Sequence, residues 1–228
     1  MEKWVKLFMR VAIFDFDGTI YAEETFTLLM KHLKEHPTYH SSYKRFYRAI
    51  VPPYIANKLK LYPDNKMKKR SMQLYLEAFN GLTKQEMDIY FGEIKATMQQ
   101  DFNEKVLERL KLHQDENIHI LLVSGAYTQF LERVTDGLVF NQIIGTDIFY
   151  KDDKVYTKNA INHINGQQKT LKVHEALDGQ QIDWENSYAY GDSFSDMAVL
   201  ELVGNPVAVR PEEKLRSLAN ERGWEVMD

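Results

Sequence analysis

Val11-Ala12-Ile13-Phe14-Asp15-Phe16-Asp17-Gly18-Thr19-Ile20 runs from four apolar residues into two acids one residue apart, then into glycine and threonine. The apolar run predicts a strand buried on both faces, as in a parallel sheet covered by helices. Alternation along such a strand puts Asp15 and Asp17 on one side. At its C-terminal edge, where open α/β sheets bind ligands, the two carboxylates would converge on one point. Carboxylates that close repel unless a cation or a shared proton intervenes. Asp15 is suited to attack phosphorus, and Asp17 to protonate a leaving oxygen and later deprotonate water. Gly18 lets the backbone approach a phosphate closely. A lone Asp-Gly is ordinarily a turn, but a turn does not explain paired acids at the end of a buried strand.

Working outward, further β-branched runs at 118–123, 188–190 and 207–209 alternate with helical patterns near 103–114, 127–136, 168–177 and 211–222. Strand–helix alternation predicts an α/β fold with a parallel sheet flanked by helices. The last helix is expected to begin at Pro211, with Glu212 and Glu213 in its first turn. Asn165-Gly166 is a turn signal, and 149–156 around Asp152-Asp153 reads as a hairpin.

Residues 21–100 differ in texture. Phe26, Leu29, Met30 and Leu33 recur at helical spacing, as do Tyr39, Tyr43, Phe46, Tyr47 and Ile50. Asn80-Gly81 is a helix stop. Thr83-Lys84-Gln85-Glu86 is a capping box opening a helix that would bury Met87, Tyr90, Phe91, Ile94 and Met98. With no strand evident, the stretch reads as an all-helical insertion (21–100) in a core made of 1–20 and 101–228. The aromatic stripes read as packing rather than as a binding face.

Composition bounds the function. The 228 residues carry a net charge of −4 and no cysteine, which excludes disulfides and thiolate chemistry. No apolar run is long enough to span a bilayer. The first six residues, Met1-Glu2-Lys3-Trp4-Val5-Lys6, lack the pattern of a signal peptide, so a cytoplasmic location is expected. Residues 31–70 hold eleven Lys or Arg against Glu35 and Asp64, a local excess of nine positive charges that leaves −13 for the rest. Such a patch can face anions, although most of these residues read as a solvated helical face, and no nucleic-acid or membrane partner is expected.

Three further motifs carry chemistry. Ile120-Leu121-Leu122-Val123-Ser124-Gly125-Ala126 is an apolar strand ending in a hydroxyl and in amides expected at a helix start, a combination suited to a phosphate oxygen. Lys169 opens a helix and would neutralise charge on a phosphoryl group. Tyr190-Gly191-Asp192-Ser193-Phe194-Ser195-Asp196 repeats the strand–glycine–acid theme with a second acid four residues on. Magnesium takes a few carboxylates plus water and phosphate oxygens. Asp192 reads as a direct ligand, and Asp196 as a residue orienting metal-bound water.

Asp15-Phe16-Asp17-Gly18-Thr19, Ser124, Lys169 and Gly191-Asp192-x-x-x-Asp196, in that order, resemble the four motifs of the haloacid dehalogenase superfamily. The resemblance covers about 10–20 and 118–228, and the helical insertion is similar to its C1 cap. Ser124-Gly125 and Gly204-Asn205-Pro206-Val207-Ala208-Val209-x-Pro211 resemble the phosphoserine-phosphatase-like branch, subfamily IB. The resemblance implies a Rossmann-like core and a Mg²⁺-dependent phosphomonoester hydrolase working through an aspartyl phosphate on a small phosphorylated metabolite. It implies Asp15 as nucleophile and metal ligand, and Asp17 as acid/base offering its carbonyl to Mg²⁺. Gly18, Ser124, Gly125 and Lys169 would hold phosphate, Asp192 and Asp196 would complete the metal site, and Glu24 would contact substrate. Gly18 stands where that branch often has serine, and Ala126 where it often has a second glycine. Arg45, Arg48 and Arg70 compete for the role of substrate-reading arginine. The same motifs would also serve a phosphotransferase or mutase, and a phosphoryl-accepting receiver or a non-catalytic phosphoryl-binding module with a basic cap are rivals from other classes. The oligomeric state is not legible.

Overall fold

The computed structural model describes residues 8–228; the expectation for the first six residues lies outside them. Six strands form one sheet: β1 (Val11–Phe14), β2 (His119–Tyr127), β3 (Gln142–Thr146), β6 (Tyr188–Gly191), β7 (Asn205–Val209) and β8 (Glu225–Met227). Their order is β3-β2-β1-β6-β7-β8, and every pairing is parallel. The chain builds outward from β1 through β2 to β3, then returns to place β6 on the other side of β1. That reversal leaves a crevice at the C-terminal ends of β1 and β6, where such sheets bind ligands.

Alternate residues of the strands feed two layers. Val11, Ile13, Leu121 and Val123 pack with Val173 and Leu177 around α7 (Gln167–Ala176), with Val199 and Leu200 of the short α8 (Met197–Leu200), and with Leu215 and Ala219 of α9 (Glu213–Arg222). Ala12, Phe14, Ile120 and Leu122 face the other way, toward Val106 and Leu110 of α5 (Glu104–Asp115) and Phe130, Leu131 and Val134 of α6 (Thr128–Val134). This is the parallel sheet, covered on both faces, that the sequence predicts.

Between β1 and α5 the described secondary structure is helical: α1 (Thr25–Glu35), α2 (His40–Lys58), α3 (Asp64–Glu77) and α4 (Lys84–Gln99). The capping box at Thr83 and Glu86 is formed, and all five apolar residues expected to be buried in α4 are buried. The helical layer leaves and rejoins the sheet side by side: Tyr21 bridges Phe102, and Asn103 donates its N–H to the Ile20 carbonyl at 2.8 Å. It is tied down a second time where Gln129 and Arg133 of α6 reach Asp88 of α4 at 2.8 and 2.9 Å. The apolar cluster on this face runs unbroken from Phe14 and Leu122 through Phe16, Tyr127 and Phe130 into Phe91, Tyr90 and Tyr75.

His32 and His36 both turn Nε2 to Glu93 Oε2, at 3.2 and 2.8 Å, joining α1 to α4. The Thr38 N–H donates to His36 Nδ1 at 3.1 Å. His36 Nε2 is thereby the nitrogen that donates to Glu93, whereas His32 Nε2 lies beside the same carboxylate without a formed hydrogen bond.

Several local expectations change. β2 continues past Val123 to Tyr127 and shifts register on β3 between those two residues. α9 starts at Glu213, with Glu212 as its N-cap residue. β3 and β8, each on an edge, carry too few apolar residues to announce themselves. The expected hairpin is present as β4 (Tyr150–Lys151) and β5 (Lys154–Val155), with Asp152 and Asp153 at positive φ in its turn. No helix among the described residues is long and apolar enough to cross a membrane.

Candidate active site

Asp15 follows β1 directly and donates its N–H to the Tyr190 carbonyl of β6 at 2.9 Å, so the register of the sheet fixes its Cα. The chain then turns: the Phe16 carbonyl accepts from the N–H of Thr19 and of Tyr21 at 3.3 and 2.9 Å. Gly18 adopts φ +75° in that turn, and a Cβ there would lie 2.1 Å from Asp192 Oδ2. The glycine therefore serves both the left-handed backbone and the close approach of the Asp192 carboxylate. Asp17 Oδ1 is engaged away from Asp15: it accepts both the N–H (3.0 Å) and the hydroxyl of Thr25, the first residue of α1.

Lys169 lies in the first turn of α7, which Gly166 opens at φ +49°. Its side chain is buried, and Nζ reaches Asp15 Oδ1 and Asp196 Oδ1, each at 2.6 Å. Asp196 Oδ2 accepts the N–H and hydroxyl of Ser193 at 3.2 and 3.0 Å, so the Asp192–Asp196 loop closes on its own second acid. Two residues beside α9 hold these loops from behind. Glu212 donates its N–H to the Asp192 carbonyl at 2.9 Å, and Arg210 reaches the carbonyls of Gly18 and Thr19 at 3.2 and 3.4 Å.

Ser124 is 1% exposed, and its Oγ accepts the Ala126 N–H at 3.1 Å. It does not sit at a helix start, as the sequence suggests. Ser124, Gly125 and Ala126 belong to the irregular end of β2, and α6 begins only at Thr128. A bulge, with its local bend and unpaired backbone, takes the place of the expected helix start.

The cleft is lined by Asp15, Asp17, Ser124, Gly125, Lys169 and Asp192, with Glu24, Lys68, His163 and Asn165 at its walls. Glu24 stands at the mouth, exposed and paired with Lys68 of α3 at 3.6 Å. None of the three competing arginines lines the cleft. Arg45 is bound to the Ala78 carbonyl at 2.7 Å, and Arg70 to Glu77 at 3.3 Å. The helical layer's cation in the cleft is Lys68, which a run of similar lysines hides in the sequence. His163 and Arg210 are likewise not singled out by any motif; only the neighbouring Asn165-Gly166 turn gives a signal near His163.

The site carries surplus negative charge. Burial, and then Asp196, push the Asp15 carboxyl well above its ordinary value, with Lys169 opposing them. Burial and Asp196 raise Asp192 to about 7. Burial works to lower Lys169, but the two carboxylates outweigh it and hold the ammonium above the usual lysine value. Burial lifts Asp17 to about 6, against its hydrogen bonds from Thr25. Asp15, Asp192 and Asp196 each offer a carboxylate oxygen within 4.8 Å of the others. An all-oxygen set whose buried acids are short of positive charge fits a hard divalent cation such as Mg²⁺.

A family model described as haloacid dehalogenase-like hydrolase matches residues 12–201. Phosphoserine phosphatase SerB1 of Mycobacterium tuberculosis is 30% identical over 122 residues, which cover 53% of this chain and 39% of that protein. The chain spans about two fifths of the length of the first curated relatives it matches. A Bordetella pertussis protein of unknown function superposes with a TM-score of 0.79 at 19% identity, covering 97% of this chain and 99% of that one. A substrate-bound phosphoserine phosphatase superposes with a TM-score of 0.59 at 14% identity, covering 96% and 92%. The two solved structures share the fold.

Proposed function

The chain belongs to the haloacid dehalogenase-like hydrolases, and from that premise we propose that it hydrolyses phosphate monoesters of small metabolites through an aspartyl phosphate on Asp15. The observation that carries the proposal is the division of labour between two neighbouring acids. Asp15 is locked to a buried lysine at 2.6 Å, whereas Asp17 is turned aside onto Thr25 and its carboxyl is raised to about 6. Burial raises both carboxyls, so it is their partners that divide the roles: the bonded ammonium of Lys169 favours the ionised, attacking form of Asp15, whereas Asp17, bonded to Thr25 and to no cation, can carry a proton.

In the first step an Asp15 carboxylate oxygen bonds to phosphorus as the bond to the leaving oxygen breaks. Asp17 hands that oxygen its proton. Thr25 occupies Asp17 Oδ1, which leaves Oδ2 to carry the proton. In the second step water attacks the phosphorus of the acyl phosphate and Asp17 takes up its proton. Asp15 is released as carboxylate, and inorganic phosphate departs. Lys169 stays beside Asp15 and offsets charge on the transferring group, while Ser124 and the Gly125 backbone bind its oxygens. Asp15, Asp192 and the Asp17 carbonyl would hold Mg²⁺, with Asp196 behind them anchoring Lys169 and the loop. The ion, when bound, supplies charge neutralisation for the phosphoryl oxygens.

Residues 21–100 act as the cap in this reading, with Glu24 and Lys68 facing the leaving group at the mouth. The M. tuberculosis relative named phosphoserine phosphatase supports a leaving group of amino-acid size. The test is release of inorganic phosphate from a panel of phosphorylated metabolites with Mg²⁺, using Asp15→Asn as the control. The amide keeps the shape of the side chain but is a poor nucleophile, so turnover should disappear while the thermal melt survives. Continued phosphate release by pure Asp15→Asn protein would overturn the assignment.

A further inference from the structure

His163 is 5% exposed, lies between β5 and α7, and forms part of the cleft wall beside Ser124, Gly125 and Lys169. The hydrogen bonds around it settle which ring nitrogen carries the proton. The Thr146 hydroxyl donates to the Gly125 carbonyl at 2.8 Å, so toward His163 its oxygen can only accept. His163 Nδ1 lies 3.4 Å from that oxygen. The neighbour at Nδ1 is an acceptor, so Nδ1 holds the hydrogen and Nε2 is a bare lone pair. Nε2 is buried and has no hydrogen-bond partner. Burial and the Lys68 ammonium lower the imidazole to about 4, so it is neutral at physiological pH. Lys68 and Lys169, two of the cations acting on the ring, themselves line the cleft. Space is reserved for the imidazole as well: a Cβ at Gly125 would sit 2.8 Å from His163 Cε1.

A buried acceptor left unpaired is costly, and the ring that carries this one forms part of the wall of the site that would receive the ester. We infer that His163 determines specificity: its Nε2 accepts a hydrogen bond from a hydroxyl or ammonium group carried by the alcohol half of the phosphate ester. The inference rests on the phosphatase reading and adds a chemical class to it, namely esters of alcohols that bear a donor close to the phosphate. A site built around a hydrogen-bond acceptor rejects an isostere that cannot donate, because the acceptor stays unpaired in that complex.

The experiment compares kcat/KM for three esters of matched size: phosphoethanolamine, ethylene glycol monophosphate and propyl phosphate, the last without a donor. Wild-type protein should prefer at least one donor-bearing ester to propyl phosphate. In His163→Leu that preference should shrink about tenfold, the usual worth of one hydrogen bond of this kind. His163→Gln brings an amide oxygen near the place of Nε2 and should restore most of it. Should the leucine variant not fold, His163→Asn carries the same test, since its short amide keeps the Thr146 side and removes the outer acceptor. A wild-type enzyme indifferent to the donor, or a preference unchanged in the variants, overturns the role of His163 and leaves the hydrolase reading standing. Absence of phosphate release from every ester and from p-nitrophenyl phosphate overturns both.

Discussion

Replacing Gly18 by alanine separates backbone strain from site chemistry. Gly18 sits at φ +75°, and the added methyl would lie 2.1 Å from Asp192 Oδ2 and 2.3 Å from its Cγ. Ordinary contacts between such atoms begin near about 3.5 Å, so the carboxylate must retreat by more than an ångström. The left-handed backbone costs an L-residue about 1–2 kcal/mol, roughly 2–8 °C of melting temperature for a chain of this size. Gly179 provides the control, because it has the same φ of +75° and an added methyl there would meet nothing within 4 Å. Gly179→Ala should therefore lose the same few degrees and keep its activity. Gly18→Ala should in addition lose about 10²-fold in kcat/KM, since an ångström of misplacement at a reacting centre has effects of that order. It should also need more Mg²⁺ for half-maximal rate. The assay is phosphate release across a Mg²⁺ titration for both variants, with melts alongside. If Gly18→Ala matched Gly179→Ala in rate and metal requirement, Asp192 would not hold the ion.

Asp17→Asn should be slow on alkyl phosphates but less impaired in the first step on p-nitrophenyl phosphate, whose leaving group departs without a proton. Aspartyl phosphate should then accumulate, and equal impairment of that step for both ester types, in rapid-quench measurements, would contradict the acid role. Lys169→Met strands the carboxylates that Lys169 holds at 2.6 Å. It should abolish turnover and cost about 3 kcal/mol near neutral pH; a melt unchanged at pH 7 would refute that. EDTA should stop phosphate release and Mg²⁺ should restore it. The rise in melting temperature on adding Mg²⁺ should be larger near pH 7.5 than near pH 5. The folded protein raises Asp192 to about 7 from 3.8, so metal-free stability attributable to this group is full below the unfolded value and is lost as pH climbs through the folded one. A metal increment independent of pH would contradict that.

The sheet is legible in the sequence because its central strands are continuous apolar runs and each ends in a chemical signature. Edge strands are not, since three residues such as Glu225–Met227 carry no periodicity. The Ser124 environment differs from its expectation for a definite reason. A strand bulge and a helix start can both follow Ser-Gly in sequence, and only pairing with β3 distinguishes them. Residues whose role comes from long-range approach are invisible. Lys68 looks like its neighbours in α3 until the fold sets it beside Glu24. His163 looks like any lone histidine until Thr146, seventeen residues away, dictates its tautomer.

The unbroken apolar cluster from the sheet into α1–α4 bears on how this protein can evolve. Although the helical layer departs and returns through adjacent residues, it is no interchangeable cassette, because Phe16, Tyr127 and Phe130 are buried partly by Phe91 and its neighbours. Excising that layer would strip the cover from aromatic rings that also shape the loop carrying Asp15 and Asp17. Selection for a new substrate acting on α1–α4 therefore draws on the same packing that keeps the enzyme folded. Variants with altered preference should arise mainly at rim positions such as Lys68, where exchange leaves the shared interior untouched.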